Sequence, residues 1–287
     1  GLSMGNISKA TQVAAGITPT NITSGFINKG TINVTGGTTA AGIAGINVSY
    51  GTINNDKTGK VTVDNGAGLY ATNGSKIVND GTVTVSGKGV GIAGLGTGQI
   101  KQDYGTDVAD GTAVEIVNNG TLNVAGDEAI GIYAENNTDA EKDKVTVNYT
   151  DTGLTGVNVA DGIDVSNTAA KSSTARGVGI AIVNSNTNYA ATDAHKVGGT
   201  LTLNGKAGKL GSYTNADRNI YTGKNGVGIY AEGSNISLTS DTFTVETKDN
   251  GVGLWAIDGT NIGVNQNPTH TKTFQLNYNG ANNTNAF

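Results

Sequence analysis

One phrase, Gly-x-aliphatic-aromatic, recurs along this chain, and its spacing constrains the fold more than any other feature. Residues 68–91 read GLYATNGSKIVNDGTVTVSGKGVG. The opening returns as GIYAEGSNISL at 228–238 and GLWAIDGTNIGV at 253–264. The middle returns as FINKGTINV at 26–34 and IVNNGTLNV at 116–124. Aligned on its glycine, the phrase falls at Gly16, Gly42, Gly68, Gly91, Gly131, Gly179, Gly228 and Gly253. The short steps define a unit of 23–26 residues; steps of 48 and 49 read as two units each, and the step of 40 as one unit plus an insertion. A fixed period of this length is the mark of a solenoid, because so small a unit cannot bury its apolar side alone and must stack.

The unit at 68–91 parses into three alternating runs, GLYA, KIVN and TVTV, separated by NGS, DG and SGKG. Gly supplies positive φ at such turns without strain, and Asn tolerates it. Three short strands and three turns per unit predict an all-β parallel β-helix, a single continuous segment over 1–287. About eleven rungs spaced about 4.8 Å apart would reach on the order of 50 Å. Period-2 alternation places Val227, Ile229 and Ala231 on the core face and Gly228 and Tyr230 outside. In the third strand the core positions are Ile32 and Val34, Val83 and Val85, and Leu122 and Val124.

The outward aromatic position holds Ala44, Tyr70, Ala93, Tyr133, Ala181, Tyr230 and Trp255. Tyr230 and Trp255 belong to successive rungs and are expected to stack. The rings either cover the outward Gly beside them, protecting the ladder, or form a platform for a sugar or protein partner. Insertions near 95–113, 135–144, 184–197, 205–224 and 265–273 leave the repeat at its turns. Binding residues concentrate in loops held by a rigid scaffold. Tyr213, Arg218 and Tyr221 in the fourth insertion, with Tyr230 and Trp255 nearby, are therefore the candidate partner-binding residues; drift of tolerated insertions is the competing reading.

Composition narrows the function classes. The net charge is −5 and the pI near 5.0, which argues against nucleic acid or an anionic membrane surface as partner. Gly and Pro together make about a sixth of the chain, short of the roughly 25–30% of low-complexity disorder. Cysteine is absent, which suits a large stacked core that needs no disulfides. No run of 18 apolar residues, signal peptide or set of barrel strands occurs, so the chain reads as a piece of a longer array.

Motif matches to enzymes fail on context. GVGIAG at 89–94 fits a dinucleotide fingerprint but copies the repeat phrase, with no helix after it. GLSMG at 1–5 fits a nucleophile elbow around Ser3 without a preceding strand. His195 and His270 lie far apart with no second ligand at helical spacing, and DAEKDK at 139–144 alternates charge as a solvated loop does, so no metal or other cofactor is expected. A polysaccharide-cleaving β-helix would gather acidic and basic side chains on one outer face; Arg176 and Arg218 both fall in irregular segments. The Thr-x-Val runs vary among Asn33, Thr84, Asn123 and Thr202, too irregular for an ice-ordering face.

NKGTINV, NDGTVTV, NNGTLNV and the recurring GVGIYA resemble the passenger domains of type Va autotransporter adhesins, most of all the very large fusobacterial ones. The resemblance covers nearly the whole chain. It implies a right-handed β-helix, secreted and held at the bacterial surface by a C-terminal outer-membrane barrel. It also implies adhesion to a protein or glycan on host cells or other bacteria. Neither the secretion signal nor the barrel is in this sequence, and the family offers no binding residue to carry over. The segment is expected to be monomeric. The alternative is a passive stalk presenting a distal binding domain; a polysaccharide-degrading enzyme is a distant third.

Overall fold

A computed structural model describes residues 2–5, 24–35, 43–49, 51–72, 75–96, 114–125, 128–136, 145–150, 163–165, 177–184, 199–204, 220–239, 242–248, 250–258, 260–264 and 273–279. The described residues form strands and turns with no helix. In chain order the strands are β1 (Leu2–Gly5), β2 (Ser24–Asn28), β3 (Thr31–Val34), β4 (Ala44–Ser49), β5 (Gly51–Asn55) and β6 (Lys60–Asp64). Then come β7 (Ala67–Thr72), β8 (Lys76–Asn79), β9 (Thr82–Ser86), β10 (Val90–Gly96), β11 (Glu115–Asn118) and β12 (Thr121–Ala125). Next are β13 (Ile130–Asn136), β14 (Val145–Thr150), β15 (Ile163–Val165), β16 (Val178–Asn184), β17 (Gly199–Asn204) and β18 (Ile220–Thr222). The last are β19 (Val227–Glu232), β20 (Asn235–Leu238), β21 (Thr242–Lys248), β22 (Val252–Ile257), β23 (Asn261–Val264) and β24 (Thr273–Asn279).

Every third strand joins the same parallel sheet. The first sheet runs β1-β4-β7-β10-β13-β16-β19-β22, the second β2-β5-β8-β11-β14-β17-β20-β23, and the third β3-β6-β9-β12-β15-β18-β21-β24. One strand from each sheet makes a rung. Residues 67–86 form one rung as read from the sequence, with β7, β8 and β9 on the three alternating runs. There are eight rungs among the described residues, not eleven, because β13, β16 and β19 are direct neighbours. The steps of 48 and 49 residues are therefore one rung each with long connections, and the stack reaches about 34 Å rather than about 50 Å.

Like residues sit on like residues. In the first sheet Ile46, Leu69, Ile92, Ile132, Ile180 and Ile229 are in register and fully buried. Ile53, Ile77 and Ile116 do the same in the second sheet, and Val61, Val83 and Leu122 in the third. Parallel pairing puts each side chain directly over its counterpart, so a β-branched or Leu column fills the interior continuously. The expected third-strand core holds: Val83, Val85, Leu122 and Val124 are buried, while Ile32 and Val34 pack partly exposed against it.

Three expectations change. Gly228 points inward and Val227 is half-buried, the reverse of strict alternation. A Cβ on Gly228 would overlap the Val245 side chain and lie 2.6 Å from the Gly253 carbonyl oxygen. The chain bends there, so Gly228 and Ile229 both face the interior. Near the start, Gly45 rather than Gly42 occupies this column, since Asn47 pairs with Tyr70 and Ala44 with Ala67; Gly16 and Gly42 lie outside the described residues. Thr202 belongs to β17 in the second sheet, so it does not share a column with Thr84.

The turn after the second sheet carries an amide stack. Asn28 Nδ2 donates to Asn55 Oδ1 at 2.8 Å, Asn55 to Asn79 at 2.7 Å and Asn79 to Asn118 at 2.7 Å. Asn118 Nδ2 closes the run on the Gly120 carbonyl at 2.9 Å. All four asparagines are buried. An amide has both a donor and an acceptor, so a column of them satisfies itself without water. From β14 onward the register substitutes Tyr149, Leu203 and Leu238 for the amide.

Candidate functional site

The outer face of the first sheet differs from the others. Its central outward column reads Ser3, Asn47, Tyr70, Ala93, Tyr133, Ala181, Tyr230 and Trp255 by register. Ala93 and Ala181 point outward yet are only 6% and 5% exposed. Each has a tyrosine on the strands on both sides, about 4.8 Å away, and the rings close over the methyl groups. The rings thus cover alanines on neighbouring rungs; the phrase glycine they were expected to cover faces inward. The flanking column of Val90, Ile130, Val178, Val227 and Val252 is half-buried as well.

Two tyrosines are tied to carboxylates two residues on. The Tyr133 hydroxyl donates to Glu135 Oε2 at 2.8 Å, and the Tyr230 hydroxyl to Glu232 Oε2 at 2.9 Å. Residues i and i+2 share a strand face, so each pair is built within one strand. Burial raises the Tyr133 hydroxyl pKa above its ordinary value, helped by the Glu135 bond and by the charges of Glu135 and Glu232. Burial, the Glu232 bond and the charges of Glu232 and Asp258 push Tyr230 up to about 12. Burial and the Glu135 charge raise Tyr70.

Tyr230 and Trp255 meet edge to face, with centroids 5.9 Å apart and planes at 78°, rather than as a parallel stack. That is a favoured aromatic geometry, because a positive ring edge meets a negative ring face. Trp255 keeps 50% of its surface exposed. Asp258, just beyond β22, is exposed and holds a left-handed φ of 53°. No strand of this sheet contains Lys or Arg. The second sheet instead carries Lys76 and Glu115 in register, paired at 2.9 Å. The third sheet displays Thr62, Thr84 and Asn123.

The remaining candidates separate. Tyr221 is in strand β18, not in a loop, and is 9% exposed. It pairs with Asp164 and Glu246 in the third sheet, so it is not brought together with Tyr230 or Trp255. Tyr213, Arg218, His195 and His270 lie outside the described residues. The insertions begin or end in strands at several points: Leu95 and Gly96 close β10, Glu135 and Asn136 close β13, and Asn184 closes β16. Among the described residues no group of three His, Cys, Asp or Glu side chains could hold a metal. Sequence reasoning missed Glu135 and Glu232; the signal was the repeated Tyr-Ala-Glu, YAE, at 133–135 and 230–232. Comparison of the chain with protein-family models, with curated proteins and with solved structures found no match.

Proposed function

We propose that this chain is a segment of a bacterial cell-surface autotransporter adhesin. Its three parallel sheets are read as a right-handed β-helix with three short strands per rung, extracellular and anchored through an outer-membrane barrel of the parent chain. The segment is monomeric and non-catalytic. It contacts a protein or glycan on host cells or other bacteria, and not nucleic acid.

The observation that supports this reading best is the first sheet's outer face, where Tyr70, Tyr133, Tyr230 and Trp255 share one column. Aromatic side chains bring large contact area at low entropic cost, and partner surfaces favour them. The connections after β10, β13 and β16 also leave the same corner of the stack on three successive rungs. Insertions gathered at one corner are where a stacked-repeat protein places binding loops.

The test is adhesion. Beads coated with the segment should hold to host or bacterial cells, and soluble segment should compete them off. Beads that do not adhere would favour the stalk reading, which the Thr and Asn outer faces of the third sheet also suit. New reducing ends appearing from a polysaccharide mixture would favour an enzyme instead.

A further inference from the structure

We propose that the first sheet's outer face, around Tyr133, Glu135, Tyr230, Glu232 and Trp255, binds an extended cationic protein segment with Lys or Arg at every third residue. This rests on reading the segment as a binding surface rather than a stalk. Each site pairs an aromatic ring with a carboxylate on the same strand. A cation gains from both at once, from the ring's negative face and from the carboxylate. The Tyr133 and Tyr230 hydroxyls already use one oxygen of Glu135 and Glu232, which fixes those carboxylates before any ligand arrives. Such preorganisation lowers the cost of binding.

Among the described residues, the strands of this face carry charge of one sign. Its strands contain no Lys or Arg, and Glu135, Glu232 and Asp258 lie along it. A partner of opposite charge is the one these residues complement, and a second copy of the chain would set like charges together. Trp255 adds the strongest cation-attracting ring, half exposed and in T-shaped contact with Tyr230.

The spacing selects the ligand's backbone. β13 and β19 are two rungs apart, with β16 between them, so the two Tyr-Glu pairs are separated by about 9.6 Å. A polyproline II chain rises about 3.1 Å per residue, which puts residues i and i+3 about 9.3 Å apart on one side. A β-strand repeats a side at about 6.7 or 13 Å and fits less well. Extended Pro-rich segments also dock on aromatic surfaces with little ordering cost.

Trp255 is the chain's single tryptophan, so its fluorescence reports on this face alone. The probe is a peptide of lysines separated by two prolines, titrated into the intact chain. A saturable fluorescence change that weakens with added salt is expected. Glu135→Gln with Glu232→Gln should weaken binding about tenfold with circular dichroism and melting temperature preserved. Trp255→Ala, followed by calorimetry, should also weaken it. The proposal is overturned if no saturable change occurs, if a peptide with glutamate in place of lysine binds equally, or if the double Gln variant binds as well as the parent. It is likewise overturned if a neutral oligosaccharide gives the change and the peptide does not. Coated beads that adhere to cells while the chain ignores the peptide sink the cationic site alone; failure of both sinks the adhesin reading too.

Discussion

A methyl group is all that separates Gly228 from alanine, and the interior has no room for one. The added Cβ would meet Val245 in the core and the backbone of Gly253 on the next rung. Gly228→Ala should cost about 1–3 kcal/mol as overpacking. Ile229→Ala, beside it and fully buried, should cost about 2–5 kcal/mol through the cavity it leaves. Thr84→Ala, on the outer face of the third sheet, should cost less than about 0.5 kcal/mol. Urea unfolding of the three variants checks the order, and a silent Gly228→Ala would show that the inward bend is wrong. Tyr230 permits a second test. Its folded pKa is raised to about 12, with Glu232 as a partner. The folded state therefore holds the proton more tightly than the unfolded state, whose tyrosine titrates near 10. The stability linked to Tyr230 is full below about pH 10 and is lost as pH rises toward 12. Glu232→Gln should move part of the tyrosinate absorbance titration to lower pH; an unchanged curve would rule out the hydroxyl–carboxylate bond.

At the scale of elements, the asparagine column ties four second-sheet strands together where their side chains leave the apolar core. Removing a middle member leaves a donor on one side and an acceptor on the other unpaired, both buried. Asn79→Ala should therefore cost more than the roughly 1–3 kcal/mol of one orphaned buried group. Asn28→Ala at the column's end removes the donor to the buried Asn55 Oδ1 and the acceptor of the N–H of Gly30, an exposed residue that water can reach, and should cost less. Equal losses, measured by thermal unfolding, would show that the amides act independently. The turns beyond this column explain its glycines: a Cβ on Gly81 or Gly120 would collide with the carbonyl oxygen of the glycine one rung back. Those same asparagines read in sequence as turn formers, which they are. Their second role needed burial, and local composition does not report burial.

At the scale of the whole molecule, eight rungs with long connections behave differently from eleven regular ones. Residues 206–218 should be removable with the parallel sheets intact, since the cut ends before Ile220. Extending the cut through 222 would delete β18, whose Ile220 and Thr222 are fully buried, and would break the third sheet between β15 and β21. Far-ultraviolet circular dichroism and melting should distinguish the two deletions; a stable, fully folded 206–222 deletion would contradict β18. Helix content above about a quarter in the parent would contradict the all-β architecture itself. The local pattern of KIVNDGTVTV and GVGIYA was enough to name the strands, the turns and the all-β class, because alternation and turn residues act within a few positions. It was also enough to mark Tyr230 and Trp255 as outward. Which strand lies on which was not local. A 48-residue step holds two units or one with a long connection equally well until hydrogen bonds between β13 and β16 choose. The inward turn of Gly228, the buried asparagines and the line of Tyr-Glu pairs across β13 and β19 come from the same source. Each depends on a neighbour tens of residues away, placed there by parallel pairing and packing.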